Sequence, residues 1–288
     1  MTAGQTGAMD VSVSRIRRDV VTVDGPDALT YLQGQLSQDV AALAVGDTAL
    51  SFVLQPTGKV DTWVRLDRAG VDTVRLDTDP GAGAGLVARL ERFKLRTKAD
   101  VELTEEVAVL AVRGAEVIDG VPCGWPGIDG SDVFDPEPDR LPSDLPLGAL
   151  DYDDEAYEGL RIACGVPAMG AEITEDTIPA ELGQWVIEAS VSFTKGCFTG
   201  QELVARIDSR GGNVPRHLRG LLTDALPPAP GEPLVVDGRE VGHVTSSAID
   251  AAGRSVALAL VHRSVEPPAT VTVDGSSVEV VALPLPAG

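Results

Sequence analysis

Beyond Arg216 the sequence breaks into six short runs of β-type residues, at 218–223, 234–236, 240–246, 255–261, 270–273 and 278–281. Asp237-Gly238 and Asp274-Gly275 stand between runs, and such pairs tolerate the backbone that tight hairpins require. Short strands at this spacing, with no helical periodicity among them, restrict residues 216–288 to a small barrel or a sandwich.

The longer part of the chain mixes periods. Residues 19–23 alternate and end at Asp24-Gly25-Pro26, a strand and a turn. Pro26 then opens a helix on which Ala28, Leu29, Tyr31, Leu32 and Leu36 recur at helical spacing. Residues 48–54 and 60–66 read as paired strands joined by Gln55-Pro-Thr-Gly-Lys59, and 71–76 continues the meander. A helix is expected over 83–95, then strands at 99–103 and 107–112. Six prolines between 120 and 148 remove donors and fix φ, so an irregular connection is expected there, with a short strand around Val133-Phe134. Helices follow at 153–163 and from Thr177 to about 188, and 202–207 reads as a helical turn or a strand. The fold class is therefore α+β, followed by a small β domain.

Charge and cysteine usage exclude several functions. Lys and Arg number 23 against 44 Asp and Glu, a net charge of −21 that repels phosphate backbones and anionic lipid. Direct nucleic-acid or membrane binding is not expected. No run approaches the ~20 apolar residues of a membrane helix, and residues 1–10 lack the basic and apolar regions of a secretory signal. Cys123, Cys164 and Cys197 form no C-x-x-C pair, and the three histidines show no ligand spacing. A reducing, cytoplasmic setting without a metal site is expected.

The segment richest in chemistry is Ser192-Phe-Thr-Lys-Gly-Cys-Phe-Thr-Gly-Gln-Glu202. Gly196 and Gly200 permit positive φ or close backbone approach around Cys197. The ammonium of Lys195, two residues away, would favour a thiolate. A cysteine between glycines is also a common small packing residue, and composition alone leaves both readings open.

Lys195-Gly-Cys-Phe-Thr-Gly-Gln-Glu202 resembles the K-G-C-[YF]-x-G-Q-E signature of the YgfZ-type folate-binding proteins, relatives of the glycine-cleavage T-protein aminomethyltransferase. Val204-Ala-Arg206 with Arg210-Gly211 extends the likeness downstream. Upstream, Val23-Asp-Gly-Pro-Asp27, Tyr31-Leu-Gln-Gly-Gln-Leu36, Asp39-Val40, Gly58-Lys59, Gly165-Val-Pro167 and Ile178-Pro179 match further blocks in order, so the resemblance covers about residues 15–215. It implies a three-domain ring of the T-protein type. One mixed α/β domain would comprise 1–50 with 115–215, a second 51–114, and a C-terminal β-barrel 216–288. It further implies tetrahydrofolate or a derivative in a central channel. The implied role is assembly or repair of iron–sulfur clusters, with iron–sulfur enzymes or assembly proteins as partners and an indirect link to tRNA modification.

The resemblance assigns roles residue by residue. Cys197 becomes the functional thiol, and Lys195 tunes it or meets the anionic tail of the folate. Gln201 and Glu202 hold the loop or bond the pterin edge. Asp61 is a candidate base, but Thr62 breaks the aspartate pair of the aminomethyltransferases, which counts against aminomethyl transfer. Tyr157 stacks on the pterin or simply packs its helix, and Arg161 meets the glutamate tail. Ala163 stands where many relatives carry a pterin-gripping glutamate. Either Glu155 or Glu158 substitutes, or folate binding is weakened or lost. Trp63, Trp125 and Trp185 are expected in the core or at interfaces. Three readings follow: a folate-dependent accessory protein, a one-carbon transferase of the aminomethyltransferase kind, and a scaffold that has lost folate.

Overall fold

The computed structural model describes residues 10–136, 140–208 and 213–286. Its elements run β1 (Ser12–Asp24), α1 (Ala28–Gln35), β2 (Thr48–Leu54), β3 (Val60–Asp67), β4 (Thr73–Thr78), α2 (Gly83–Phe93), β5 (Asp100–Arg113), β6 (Val121–Pro122), β7 (Gly130–Phe134), β8 (Leu150–Asp151), α3 (Asp154–Cys164), α4 (Gln184–Ser190) and α5 (Gln201–Asp208), then β9 (Arg216–Thr223), β10 (Pro233–Val236), β11 (Arg239–Ile249), β12 (Ser255–His262), β13 (Ala269–Val273) and β14 (Ser276–Val281).

One sheet organises the body, in the order β2-β3-β4-β1-β5-β7-β6, with β8 parallel to β1. It takes strands from both α/β units expected from the sequence, and β2 straddles their boundary. Two long strands make this possible. β1 and β5 pair along their whole lengths, with a register break between Arg18 and Val20. Asp19 sits in that break, and its buried carboxylate accepts from the backbone N–H groups of Gly81, Gly83 and Glu106 at 2.9–3.0 Å. The same residue thus bends the sheet and anchors the start of α2, where backbone N–H groups lack helical partners. Residues 99–103 and 107–112, expected as separate strands, are one strand because this bulge joins them.

The sheet buries both faces. Val21, Val23, Val64, Leu66, Val74 and Leu76 pack with α1 and α2 on one side. Phe52, Trp63 and Val60 pack with Ile173, Leu182 and Val186 on the other. α3 is bounded as its sequence specifies: the Asp153 side chain accepts from Ala156 N at 2.9 Å, and Gly165 ends it in the left-handed region. The helix expected from Thr177 is instead a 3₁₀ turn, Pro179–Leu182, and then α4, with Gly183 at φ 108° interrupting it. The proline-rich stretch holds β6 and β7, and β8 follows it.

Residues beyond Arg216 form a closed barrel, β10-β11-β12-β9-β14-β13, rather than a sandwich. Ile162 of α3 is fully buried against Leu218, Val256 and Leu258 of the barrel. Glu181, also buried, accepts from Arg216 Nε at 2.9 Å and fastens the first barrel strand to the 3₁₀ turn. Among the described residues no helix is long and apolar enough to cross a membrane.

Candidate functional site

All the sequence-predicted residues but Asp61 fall in two places. The first is a cavity of 330 Å³ between the sheet, α3 and residues 166–169. Trp63, Trp125, Tyr157, Glu158, Arg161 and Met169 line it, with Arg18, Arg65, Arg113 and Asp132. Its volume falls at the lower end of small-molecule sites, about 300–1,000 Å³.

An unbroken chain of alternating charges forms one wall. Arg18 pairs with Asp79 and, at 3.0 Å, with Asp77; Asp77 takes Arg65 Nε at 2.9 Å. Arg65 Nη1 meets Asp132 at 2.7 Å, and Asp132 meets Arg113 Nη1 at 2.8 Å. Cross-strand register aligns Arg65 with Asp77, and the adjacent strands β5 and β7 supply Arg113 and Asp132. Burial alone would raise the Asp132 carboxyl, but Arg113 and Arg65 overcome it and hold the group below the usual carboxylate range. The Arg113 guanidinium lies 4.3 Å over the Trp125 ring and donates to the Tyr157 hydroxyl at 3.2 Å. Trp125 and Tyr157 pack with centroids 5.5 Å apart, and Trp63 meets Trp185 edge-on at 6.3 Å. Trp63 and Trp125, expected only in the core or at interfaces, are cavity walls.

Arg161 closes the other side. Its Nε and Nη2 take both oxygens of Glu158 at 2.8 and 2.5 Å, Nη2 also reaches Ser246 Oγ at 2.7 Å, and Nη1 bonds Val166 O and Glu172. All five guanidinium donors are therefore occupied within the chain. Arg161 braces α3 to residues 166–172 and to barrel strand β11, and leaves no free donor for an anionic tail. Of the acids weighed as substitutes at Ala163, Glu158 lines the cavity and Glu155 does not. Ala163 itself packs toward the barrel cluster, and its carbonyl accepts from Leu285 N at 2.8 Å.

The second place is the loop that carries Cys197. Cys197 is exposed, whereas Cys123 and Cys164 are buried. The loop is fastened to the end of α1. Lys195 Nζ donates to the carbonyls of Gln33, Leu36 and Gln38 at 2.7–2.8 Å. Ser192 N donates to Ser37 O at 3.0 Å and Thr199 N to Gly34 O at 3.2 Å. Burial lowers the Lys195 pKa to about 8, against the pull of Asp39. An ammonium has three donors, and all three are engaged, with the Phe198 ring 5.2 Å from the nitrogen. The sequence placed this lysine beside a thiolate or a folate tail; its ammonium clamps the helix terminus.

Gln201 opens α5, and its side chain accepts from Phe198 N at 2.9 Å, closing the turn. Glu202 lies in the first turn of α5, where a carboxylate suits the helix dipole. Gly200 has φ 80°, and a Cβ there would stand 2.6 Å from Gln55 O and 2.8 Å from Leu54 Cβ. Gly200 therefore sits backbone to backbone on the 55–59 turn. Gly196 has only open space around it and needs no positive φ. Arg210 and Gly211 lie outside the described residues.

Asp61 belongs to neither place. It is the residue without a cross-strand partner in the β2–β3 bulge, and it pairs with Arg89 Nε of α2 at 3.3 Å. Burial raises its carboxyl and Arg89 opposes the shift. A path of contacts joins cavity and loop: Trp63 Nε1 donates to Ser190 Oγ at 3.0 Å, and Ser190 ends α4 two residues before Ser192. Among the described residues no group of three His, Cys, Asp or Glu is arranged to hold a metal ion.

Comparison with known proteins adds independent findings. Residues 216–287 match the family model of the glycine cleavage T-protein C-terminal barrel domain. An uncharacterised protein of Haemophilus influenzae is 32% identical over 211 residues, 71% of each chain. The tRNA-modifying protein YgfZ of Serratia proteamaculans is 28% identical over 218 residues, which span 67% of this chain and 66% of that one. The crystal structure of the glycine cleavage system aminomethyltransferase T from Bartonella henselae superposes with a TM-score of 0.72 at 20% identity, covering 96% of this chain and 86% of the other.

Proposed function

This chain belongs to the YgfZ-type relatives of aminomethyltransferase, and from that premise we propose that it is a folate-binding accessory protein for assembly or repair of iron–sulfur clusters. The cavity is the folate site. Trp63 and Trp125 give it aromatic walls suited to a flat pteridine, and Glu158 is the one carboxylate from α3 on its lining. Glu158 accepts from the amino–imino edge, in place of the glutamate missing at Ala163. Arg161 holds that carboxylate in position rather than binding ligand itself. Bound tetrahydrofolate, or a derivative, supplies one-carbon carrier chemistry.

The observation that carries the reading is the exposed Cys197 on a loop fastened at both ends. A packing cysteine has no need of three backbone anchors around it and an open side chain. Cys197 is the group presented to iron–sulfur enzymes or assembly proteins, while Lys195, Gln201 and Glu202 keep its loop in shape. Asp61, paired with Arg89 in the bulge, supports the neighbouring hairpin. The name of the Serratia relative fits this role indirectly, through tRNA-modifying enzymes that carry [4Fe–4S] clusters. The net charge of −21 disfavours direct contact with tRNA.

Cys197→Ser is expected to depress [4Fe–4S] enzyme activities in cells that depend on this protein. Unchanged activities would overturn the role of the thiol. Calorimetric titration of the purified chain with tetrahydrofolate is expected to saturate. If it does not, the scaffold reading replaces the folate half of the proposal, in keeping with the alanine at 163.

A further inference from the structure

The buried wall of the cavity ends in a hydroxyl with a proton to give. Tyr157 Oη accepts from Arg113 Nη2 at 3.2 Å. A guanidinium only donates, so that contact uses an oxygen lone pair and leaves the phenolic O–H for another acceptor. Among the described residues none lies against it. Burial raises the phenol's pKa, with Arg113 opposing, so the proton stays on the oxygen at neutral pH.

The charges on the wall decide what kind of acceptor fits. Arg18, Arg65 and Arg113 are matched by Asp77, Asp79 and Asp132, so the ladder that ends at Tyr157 carries no surplus charge. A neutral acceptor is favoured there over a carboxylate, which would have to be desolvated without a counter-charge. On the opposite side Arg161 faces two carboxylates, Glu158 and Glu172, and the surplus is negative. Tyr157 and Glu158 are consecutive on α3 and both line the cavity.

Resting on the folate reading above, we propose that Tyr157 is a hydrogen-bond donor that recognises the oxo oxygen of the pteridine, next to the amino and imino groups that Glu158 accepts from. The pair then selects a flat heterocycle that carries donors and a carbonyl acceptor side by side. The resemblance left Tyr157 either stacking on the pterin or packing its helix; in this arrangement its ring packs on Trp125 and its hydroxyl makes the selective contact.

Folic acid and aminopterin test this directly. They share an oxidation state and differ by an oxo group replaced with an amino group and by the loss of the adjacent ring N–H. Their ratio therefore reads Glu158 as well as Tyr157, and the Tyr157 variant separates the two. Calorimetry on the full chain is expected to show folic acid bound at least about ten-fold more tightly, because a donor facing a donor leaves both unsatisfied. Tyr157→Phe keeps the ring and is expected to narrow that ratio by about five-fold or more, with its thermal midpoint recorded alongside. Equal binding of the two compounds by the wild type, or an unchanged ratio in Tyr157→Phe, overturns the role of Tyr157 and leaves the folate reading standing. Saturable binding of neither compound overturns the folate reading, and this inference with it. Should Tyr157→Phe fail to fold, Tyr157→Leu takes its place with the same narrowing of the ratio expected, and Glu158→Gln is the further variant. That variant is expected to weaken both compounds, since both carry the amino group Glu158 accepts from. Undiminished binding of both by Glu158→Gln overturns the paired recognition.

Discussion

The cavity wall and the Cys197 loop are held by opposite means. In the wall, side chains from β1, β3, β4, β5 and β7 fix one another through charge pairs, and almost nothing of Arg65, Asp77, Arg113 or Asp132 meets solvent. In the loop, the backbone is pinned to the end of α1 by Lys195 and by two amide bonds, and the cysteine side chain is left open. An enclosed site needs rigid side chains, because any unpaired charge inside it is costly. A thiol that must reach a large partner needs a rigid backbone and a free sulfur.

The contrast is broken most severely at Asp132. This carboxylate serves Arg65 and Arg113 together, so Asp132→Ala leaves the buried Arg113 without a carboxylate and Arg65 with Asp77 alone. Removal of one partner from a buried pair costs about 3–5 kcal/mol, a large share of the ~5–15 kcal/mol that stabilises a typical domain. Urea unfolding is expected to show a loss of that size. A loss below about 1 kcal/mol would mean that the wall is a loose, hydrated cluster rather than a rigid frame.

Little of that wall was legible in the sequence. Of Arg65, Asp77, Arg113 and Asp132, only Arg65 falls inside a run that reads as a strand, 60–66. The others stand just outside the runs 71–76 and 107–112 and the short strand around Val133-Phe134, and an isolated charge is ordinarily solvated. Only register brings Arg65 opposite Asp77, and only the cover of α3 over the second face buries them. A usable signal existed: β3 is apolar on both faces around Arg65, which left that charge no side open to water. The barrel's short strands were readable because hairpin turns and alternation are local properties, with barrel and sandwich left open, and so was the span of α3. Lys195 was misread for the converse reason. Its three acceptors lie 157–162 positions away, beyond any spacing argument. For Cys197 the residues left a reactive thiol and a packing cysteine both open; of the two glycines expected to permit positive φ, Gly200 has it and Gly196 does not.

Lys195→Met tests the loop side with an intermediate effect. It removes three hydrogen bonds from an ammonium to the carbonyls that end α1, each partly replaceable by water. The expected loss is about 1–3 kcal/mol. The sharper readout is hydrogen exchange: amides of residues 192–200 are expected to lose protection, while those of β5 and β7 keep theirs. Unchanged protection in the loop would show that backbone bonds alone suffice and that the lysine has another task.

Cys197→Ser should have the smallest effect on the fold and is for that reason the most informative. An exposed thiol has little packing to lose, so the expected change in stability lies within about 0.5 kcal/mol. Alkylation sharpens the point. Burial pushes the Cys164 thiol up to about 12 and raises that of Cys123. Both remain protonated and enclosed at pH 8, so iodoacetamide is expected to label only the peptide that contains Cys197, and all three once urea is added. The same shift fixes a sign. An acid whose pKa rises on folding stays protonated in the folded chain while the unfolded chain has released its proton. Cys164 therefore lowers stability as pH climbs from 9.0 toward about 12 and is without effect below. Cys197→Ser should leave that alkaline loss unchanged. If Cys197→Ser instead lowers the unfolding midpoint, or if Cys164 is labelled as fast as Cys197 in the native chain, the thiol is part of the packing and the division between a rigid wall and an open sulfur fails. If neither happens, loss of client enzyme activity in cells carrying Cys197→Ser can be attributed to the sulfur itself.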